Sequence, residues 1–214
     1  MEPARYIGVE GPIGAGKKLL AGRLAQTFKA RLVMEKTDDN PFLTGFYRDR
    51  KQYAFQAQLF FLLSRFQQLQ GLNQLDLFQR TTISNFLFEK DRIFALLHLG
   101  EAEIALYEQV FTLLQDRVPV PDLVIYLSVS TEVLWKRIKT RGHPAEWMSA
   151  GHIEKLNEAY NRFFLNYEAA PLLVVNASNV DFGADQDHYQ HLLREVSGHT
   201  KGIKHYIPRS EGAL

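Results

Sequence analysis

Apolar residues fall along this chain in two patterns that alternate, short continuous runs and longer stretches spaced three and four apart. The runs Arg5-Tyr6-Ile7-Gly8-Val9, Arg31-Leu32-Val33-Met34-Glu35, Thr81-Thr82-Ile83-Ser84, Leu123-Val124-Ile125-Tyr126-Leu127 and Leu172-Leu173-Val174-Val175 predict five strands. Leu19, Leu20, Arg23, Leu24 and Phe28 predict a first helix, and Phe55, Leu59, Leu62, Phe66 and Leu69 a long amphipathic one from Tyr53 to Leu72. Helical spacing returns over residues 86–99, 101–117, 131–140 with Thr131 as cap, and 153–167. Strands separated by helices imply an α/β fold of three layers, with a five-stranded parallel sheet covered on both faces. The run Leu123 to Leu127 has no polar position, as in a strand buried on both sides. Residues 1–197 read as one domain, and residues 198–214, glycine-bearing, basic and without periodicity, as a C-terminal tail, either mobile or docked over the fold.

Composition narrows the class of partner. The 214 residues are 46% hydrophobic and 23% charged, which suits one globular domain, and a formal net charge of +1 provides no large basic field for a nucleic-acid polymer. Cysteine is absent, which excludes disulfides and thiolate zinc sites and agrees with a reducing interior. Residues 1–5 run into the first strand with no leader pattern, and no stretch suggests a membrane, so a cytoplasmic protein is expected.

Chemistry enters between the first strand and the first helix. Gly11-Pro12-Ile13-Gly14-Ala15-Gly16-Lys17-Lys18 has the spacing of a phosphate-binding P-loop. Gly11, Gly14, Ala15 and Gly16 turn backbone N–H groups inward, the helix N-terminus favours anions, and Lys17 reaches the outer phosphates. The position that normally supplies a hydroxyl to Mg²⁺ is Lys18, which has only ammonium donors.

Glu35, at the end of the second strand, falls where open α/β sheets bind ligands, and a carboxylate there suits a general base. The third and fourth strands end in Ser84-Asn85 and Ser128, so neither supplies the acidic residue that usually anchors a metal. Arg137 and Arg141, with Lys136 and Lys139, open into a Gly-Pro loop and form a candidate lid over about residues 137–150. Gln56 and Phe60, on the long helix, are placed to meet a base.

The chain resembles the deoxynucleoside kinases, in particular the bacterial deoxyadenosine and deoxyguanosine kinase-like branch. The likeness covers nearly the whole length, through Gly11 to Lys17, Glu35 with Asp39-Asn40-Pro41-Phe42-Leu43, Tyr47, Tyr53-Ala54-Phe55-Gln56, Phe88 to Ala95, Arg137 to Glu146 and Leu156 to Tyr160. It implies a P-loop kinase fold, ATP as cofactor with Mg²⁺, a small-molecule nucleoside as acceptor, and a homodimer built through helices. It implies Glu35 as base for the 5′-hydroxyl, Gln56 as reader of the base edge, Tyr47 and Glu146 as 3′-hydroxyl contacts, and Arg137 and Arg141 as lid arginines. Phe60 and Asp91 join these as substrate contacts. Departures fall at Lys18, at Asn85 and Phe86 in place of the family's acidic residue and arginine, and at His143 in place of a lid arginine. Two of them touch the metal. Either Glu10 or Asp91 holds it instead or catalysis is reduced, which leaves two readings: a kinase of purine deoxynucleosides, and a nucleotide-binding pseudokinase acting as a subunit or regulator.

Overall fold

The computed structural model describes residues 5–73, 80–140 and 149–208. Six parallel strands form one sheet in the order β2-β3-β1-β4-β5-β6. They are β1 Arg5–Glu10, β2 Arg31–Val33, β3 Thr81–Ser84, β4 Leu123–Ser128, β5 Leu172–Asn176 and β6 Ile203–Tyr206. The helices are α1 Lys17–Phe28, α2 Leu43–Arg48, α3 Arg50–Gln70, α4 Asp91–His98, α5 Glu101–Gln115, α6 Thr131–Thr140, α7 Ala150–Leu165 and α8 Gln186–Gly198.

Alternate side chains of the central strands feed the two covering layers, as the period of two requires. Ile125 and Leu127 of β4 join Ile7 and Val9 of β1 in packing against Leu20 and Leu24 of α1, Leu134 and Ile138 of α6, and Leu192 and Val196 of α8. Val124 and Tyr126 point the other way and meet Leu156, Tyr160 and Phe164 of α7. On that same side Tyr6 packs with Leu62 and Leu69 of α3 and with Tyr107 and Phe111 of α5.

The sheet has six strands where five were expected. The sixth lies inside the stretch that reads as a tail: Ile203 to Tyr206 pairs along β5 from Leu172 to Val175. Its side chains are largely exposed, so no apolar run announced it, and backbone pairing at the sheet edge holds it. Helix α8 was not among the expected elements either, although Tyr189, Leu192 and Val196 bury one face of it. Helix α4 begins at Asp91 and not near Phe86, because Phe86, Leu87 and Phe88 are spent on the core as the chain turns. Ser130, not Thr131, stands at the cap of α6, its Oγ accepting from the Val133 N–H at 3.4 Å.

Parallel strands end together. Glu10, Glu35, Asn85 and Ser128 therefore gather at the carboxyl edge of the sheet, which is where the site forms.

Candidate active site

Residues 11–16 leave β1 and turn into α1 as the P-loop spacing predicts. Gly14 and Gly16 have φ of +88° and +101°, left-handed values that a side chain resists. A Cβ on Gly14 would also come to 3.2 Å from Ile138 Cγ1 of α6. Lys17 folds back over the loop, donating from Nζ to the carbonyls of Gly11 at 2.5 Å and Pro12 at 3.2 Å. Burial brings its pKa down to about 8, against the opposing pull of Glu10. The Lys18 side chain is exposed and contributes no oxygen.

Behind the loop lies a buried cluster of opposite charges. Glu10 Oε1 accepts from the Gly11 N–H at 2.8 Å and Oε2 from the Leu87 N–H at 3.0 Å, while Lys17 Nζ is 3.8 Å away and Lys90 Nζ 3.9 Å. Glu35 Oε1 accepts from Arg65 Nε at 2.9 Å and Nη2 at 2.5 Å, and Oε2 from Lys90 Nζ at 2.7 Å. Burial pushes the Glu35 carboxyl up, but Lys90, Arg65 and Lys17 outweigh it and hold the group well below the usual carboxylate range. Arg65 also pairs with Asp91, which accepts from Tyr107 Oη at 2.8 Å.

A cavity of about 160 Å³ opens beside this cluster, with Lys17, Glu35, Arg65 and Lys90 in its wall. Tyr47, expected at the acceptor, lines it. Gln56 and Phe60, expected to meet the base, do not, and Gln56 is exposed; Gln58 and Phe61 line the cavity in their place. The reason is helical geometry: Gln58, Phe61 and Arg65 repeat at three and four along one face of α3, whereas residues 56 and 60 sit on a flank. Gln58 is 3% exposed, and its Oε1 has no hydrogen-bond partner among the described residues. Asp91 is not in the wall; fully buried, it backs Arg65 from behind.

The far wall was not foreseen. His98, from the last turn of α4, and His152, from the first turn of α7, stack with ring centroids 5.5 Å apart. Burial, His152 and Arg50 push the His98 pKa down to about 4, and burial lowers that of His152, so both are neutral at pH 7. Gln58 and Arg65 had a sequence signal, two polar residues seven apart on a helix with apolar neighbours. The histidines had none, since only the fold brings α4 to α7.

Arg137 donates to the carbonyl of Ala177 at 2.8 Å, at the loop after β5. Together with Ala15, Gly16 and Asp181 it lines a second, smaller hollow beyond the P-loop. Arg141, His143, Glu146 and most of the candidate lid lie outside the described residues.

Among the described residues, the carboxylates at the sheet edge do not fit Mg²⁺. Among the described residues no group of three or more His, Cys, Asp or Glu is placed to hold a metal ion. Glu10 and Asp91, the alternative ligands, are fully buried with their oxygens engaged by N–H, hydroxyl and cationic groups. Asn85 turns its Oδ1 to the Glu35 N–H at 2.6 Å, and Phe86 belongs to the core.

A P-loop and a carboxylate that share the wall of one cavity define a nucleotide-dependent phosphotransferase. The family model described as deoxynucleoside kinase matches residues 7–201, and the chain belongs to the deoxynucleoside kinase family. A deoxyguanosine kinase of Bacillus subtilis (strain 168) is 32% identical over 202 residues, covering 92% of this chain and 98% of the relative. A deoxyadenosine kinase of Lactobacillus acidophilus is 28% identical over 214 residues, covering 93% and 98%. The solved structure of deoxyadenosine kinase from M. mycoides with bound dATP matches with a TM-score of 0.76 over 91% of this chain and all of its own; at 24% identity this speaks for the fold.

Proposed function

We propose that the protein transfers the γ-phosphoryl group of ATP to the 5′-hydroxyl of a purine deoxynucleoside. The observation that carries this reading is that Lys17 and Glu35 face the same cavity, so phosphate donor and proton acceptor meet across one space. Glu35 acts as general base toward the acceptor hydroxyl. Its carboxylate is fixed by Arg65 and Lys90, so no reorganisation is needed as the proton arrives. Tyr47 orients the sugar, Phe61 and Phe94 offer ring faces to the base, and Gln58 reads its edge with an otherwise unused amide oxygen. Purine preference follows the relatives named deoxyguanosine or deoxyadenosine kinase, although a further one is named a deoxyadenosine/deoxycytidine kinase.

Backbone N–H groups of Ile13, Gly14 and Gly16 and the Lys17 side chain receive the ATP phosphates, with Arg137 beyond the loop. Since the described carboxylates at the site do not fit Mg²⁺, no step is assigned to it. A homodimer is supported by exposed leucines on the helical side: Leu96 of α4, Leu106 and Leu113 of α5, and Leu165 of α7. The partners are then nucleoside, nucleotide and a second copy. Among the described residues no helix is long and apolar enough to cross a membrane, and a cytoplasmic place suits a cysteine-free, ATP-using enzyme.

The test is ADP release with each of the four deoxynucleosides, with and without Mg²⁺. Turnover with deoxyguanosine or deoxyadenosine above both pyrimidines is expected, and no ADP release with any of the four overturns the proposal.

A further inference from the structure

Lys90 stands where carboxylates of two strands converge. It occupies the N-cap position of α4 with its side chain 4% exposed, and its Nζ lies between Glu35 Oε2 at 2.7 Å and Glu10 Oε2 at 3.9 Å. Lys17 approaches Glu10 from the other side, and Arg65 links Glu35 to Asp91. Glu10, Glu35 and Asp91 are thus matched by Lys17, Arg65 and Lys90, three charges of each sign. The cluster is neutral as built, and a divalent cation entering between Glu10 and Glu35 has to displace Lys90.

We propose that Lys90 is a positioning residue for phosphoryl transfer, holding Glu35 toward the acceptor hydroxyl and leaving a positive charge beside the transferring group when Glu35 takes up the proton. This rests on Glu35 being the base. In the step, the acceptor O–H bond breaks and its proton goes to a Glu35 oxygen. The freed electron pair forms the bond to the γ-phosphorus, and the bond from that phosphorus to the bridging oxygen breaks, its pair leaving with ADP. Glu35 becomes neutral, so Lys90 loses the nearer of its two carboxylate partners, and the charge that Glu10 at 3.9 Å does not offset acts on the phosphoryl oxygens nearby. A fixed ammonium thereby supplies part of the neutralisation that phosphotransferases commonly draw from a metal ion.

The groups that face Glu35 set the pH behaviour. Arg65 comes from α3, Lys90 from the turn before α4, Lys17 from α1 and Tyr160 from α7, with Glu10 beyond Lys90. Burial pushes the carboxyl up and Lys90 is the strongest group pulling it down. With Lys90 removed, its pKa climbs.

The experiment compares kcat and KM against pH for the full chain, Lys90→Gln, Lys90→Arg and Glu35→Gln. In the unmodified protein kcat is expected to stay flat from about pH 7.5 down to about pH 5. Lys90→Gln lowers kcat by about 10–100-fold, leaves nucleoside KM within about threefold, and brings an acid limb into about pH 5–6.5. Lys90→Arg restores the flat profile. A Lys90→Gln profile as flat as the unmodified one, or an acid limb that persists in Lys90→Arg, overturns the proposal. Should Lys90→Gln show no melting transition, the unmodified profile decides, since an acid limb above about pH 5.5 there refutes the role. Turnover retained in Glu35→Gln overturns the base assignment itself, whereas its loss alongside a flat Lys90→Gln profile removes Lys90 alone.

Discussion

Asn85 Oδ1 accepts the backbone N–H of Glu35 at 2.6 Å, tying the end of β3 to the chain just past β2. From the sequence, Asn85→Asp and Lys18→Thr are expected to act together on one metal ion. The structure separates them, with Lys18 exposed and Asn85 buried against Glu35. Asn85→Asp brings a further carboxylate beside a balanced cluster, so the melting temperature and turnover should both fall. Its effect should add to that of Lys18→Thr within about 0.5 kcal/mol in a double-mutant cycle. A gain in Mg²⁺-dependent turnover that appears only in the double variant would show that the two positions do share an ion.

The role proposed for Lys17 on phosphate requires the ammonium, and its lowered pKa makes that state conditional. With a pKa of about 8 in the free protein, the group loses its proton as pH rises through 8. ATP affinity should then weaken by up to about tenfold per pH unit above that point. Calorimetric titrations at pH 7 and 9 check this, and Lys17→Ala should bind weakly at both. The same shift acts on stability: between about pH 8 and 10.4 the unfolded chain holds more protons at this group, so its contribution rises with pH.

For Glu35 the slope has the same sign, but the window is acidic. Its folded pKa is depressed, so the stability it contributes is fully present above the unfolded value of about 4.3 and is lost as pH falls below it toward the folded one. Glu35→Gln should cost about 1–3 kcal/mol at pH 7, flatten the acid side of the melting curve, and reduce turnover by about 10² or more with little change in nucleoside affinity. Thermal melts from pH 3 to 7 beside steady-state kinetics read all three.

Two glutamines two residues apart, on opposite sides of α3, provide an internal control. Gln58→Leu removes the buried amide oxygen that faces the cavity, so nucleoside binding should weaken by about 1–3 kcal/mol with preference among bases blunted. Stability should hold or rise, because a buried unpartnered polar group is lost. Gln56→Leu, on the exposed flank, should change neither. Equal losses for the two would show that the base lies against the other side of α3.

The parallel sheet, the P-loop and Glu35 were legible because each has a local signature: a continuous apolar run, a glycine spacing, a carboxylate following a strand. The side of α3 that faces the cavity was not, since that helix is apolar toward two neighbours at once. Phe55, Leu59 and Phe66 pack against α5 and β1, while Gln58, Phe61 and Arg65 turn to the site. Apolar periodicity reports the first face, and the polar pair Gln58 and Arg65 is the one trace of the second. Lys90 stands in the charged run Glu89-Lys90-Asp91-Arg92, and only the tertiary fold shows that it points inward to Glu10 and Glu35. Strand β6 escaped because backbone pairing without apolar side chains leaves no pattern to read.

Strand β1 sits in the middle of the sheet, yet the strands on either side of it come from residues 81–84 and 123–128. The loop proposed to hold ATP phosphates therefore hangs on a strand whose neighbours are made long after it. Closing such distant pairs costs chain entropy before any contact is gained, so refolding should be slow, with the edges of β1 open to wrong partners meanwhile. On the proposed role, ATP should recognise only the assembled loop. Added during refolding, it should slow unfolding and raise the melting point while leaving the refolding rate unchanged, as befits a ligand that arrives after the rate-limiting pairing is over.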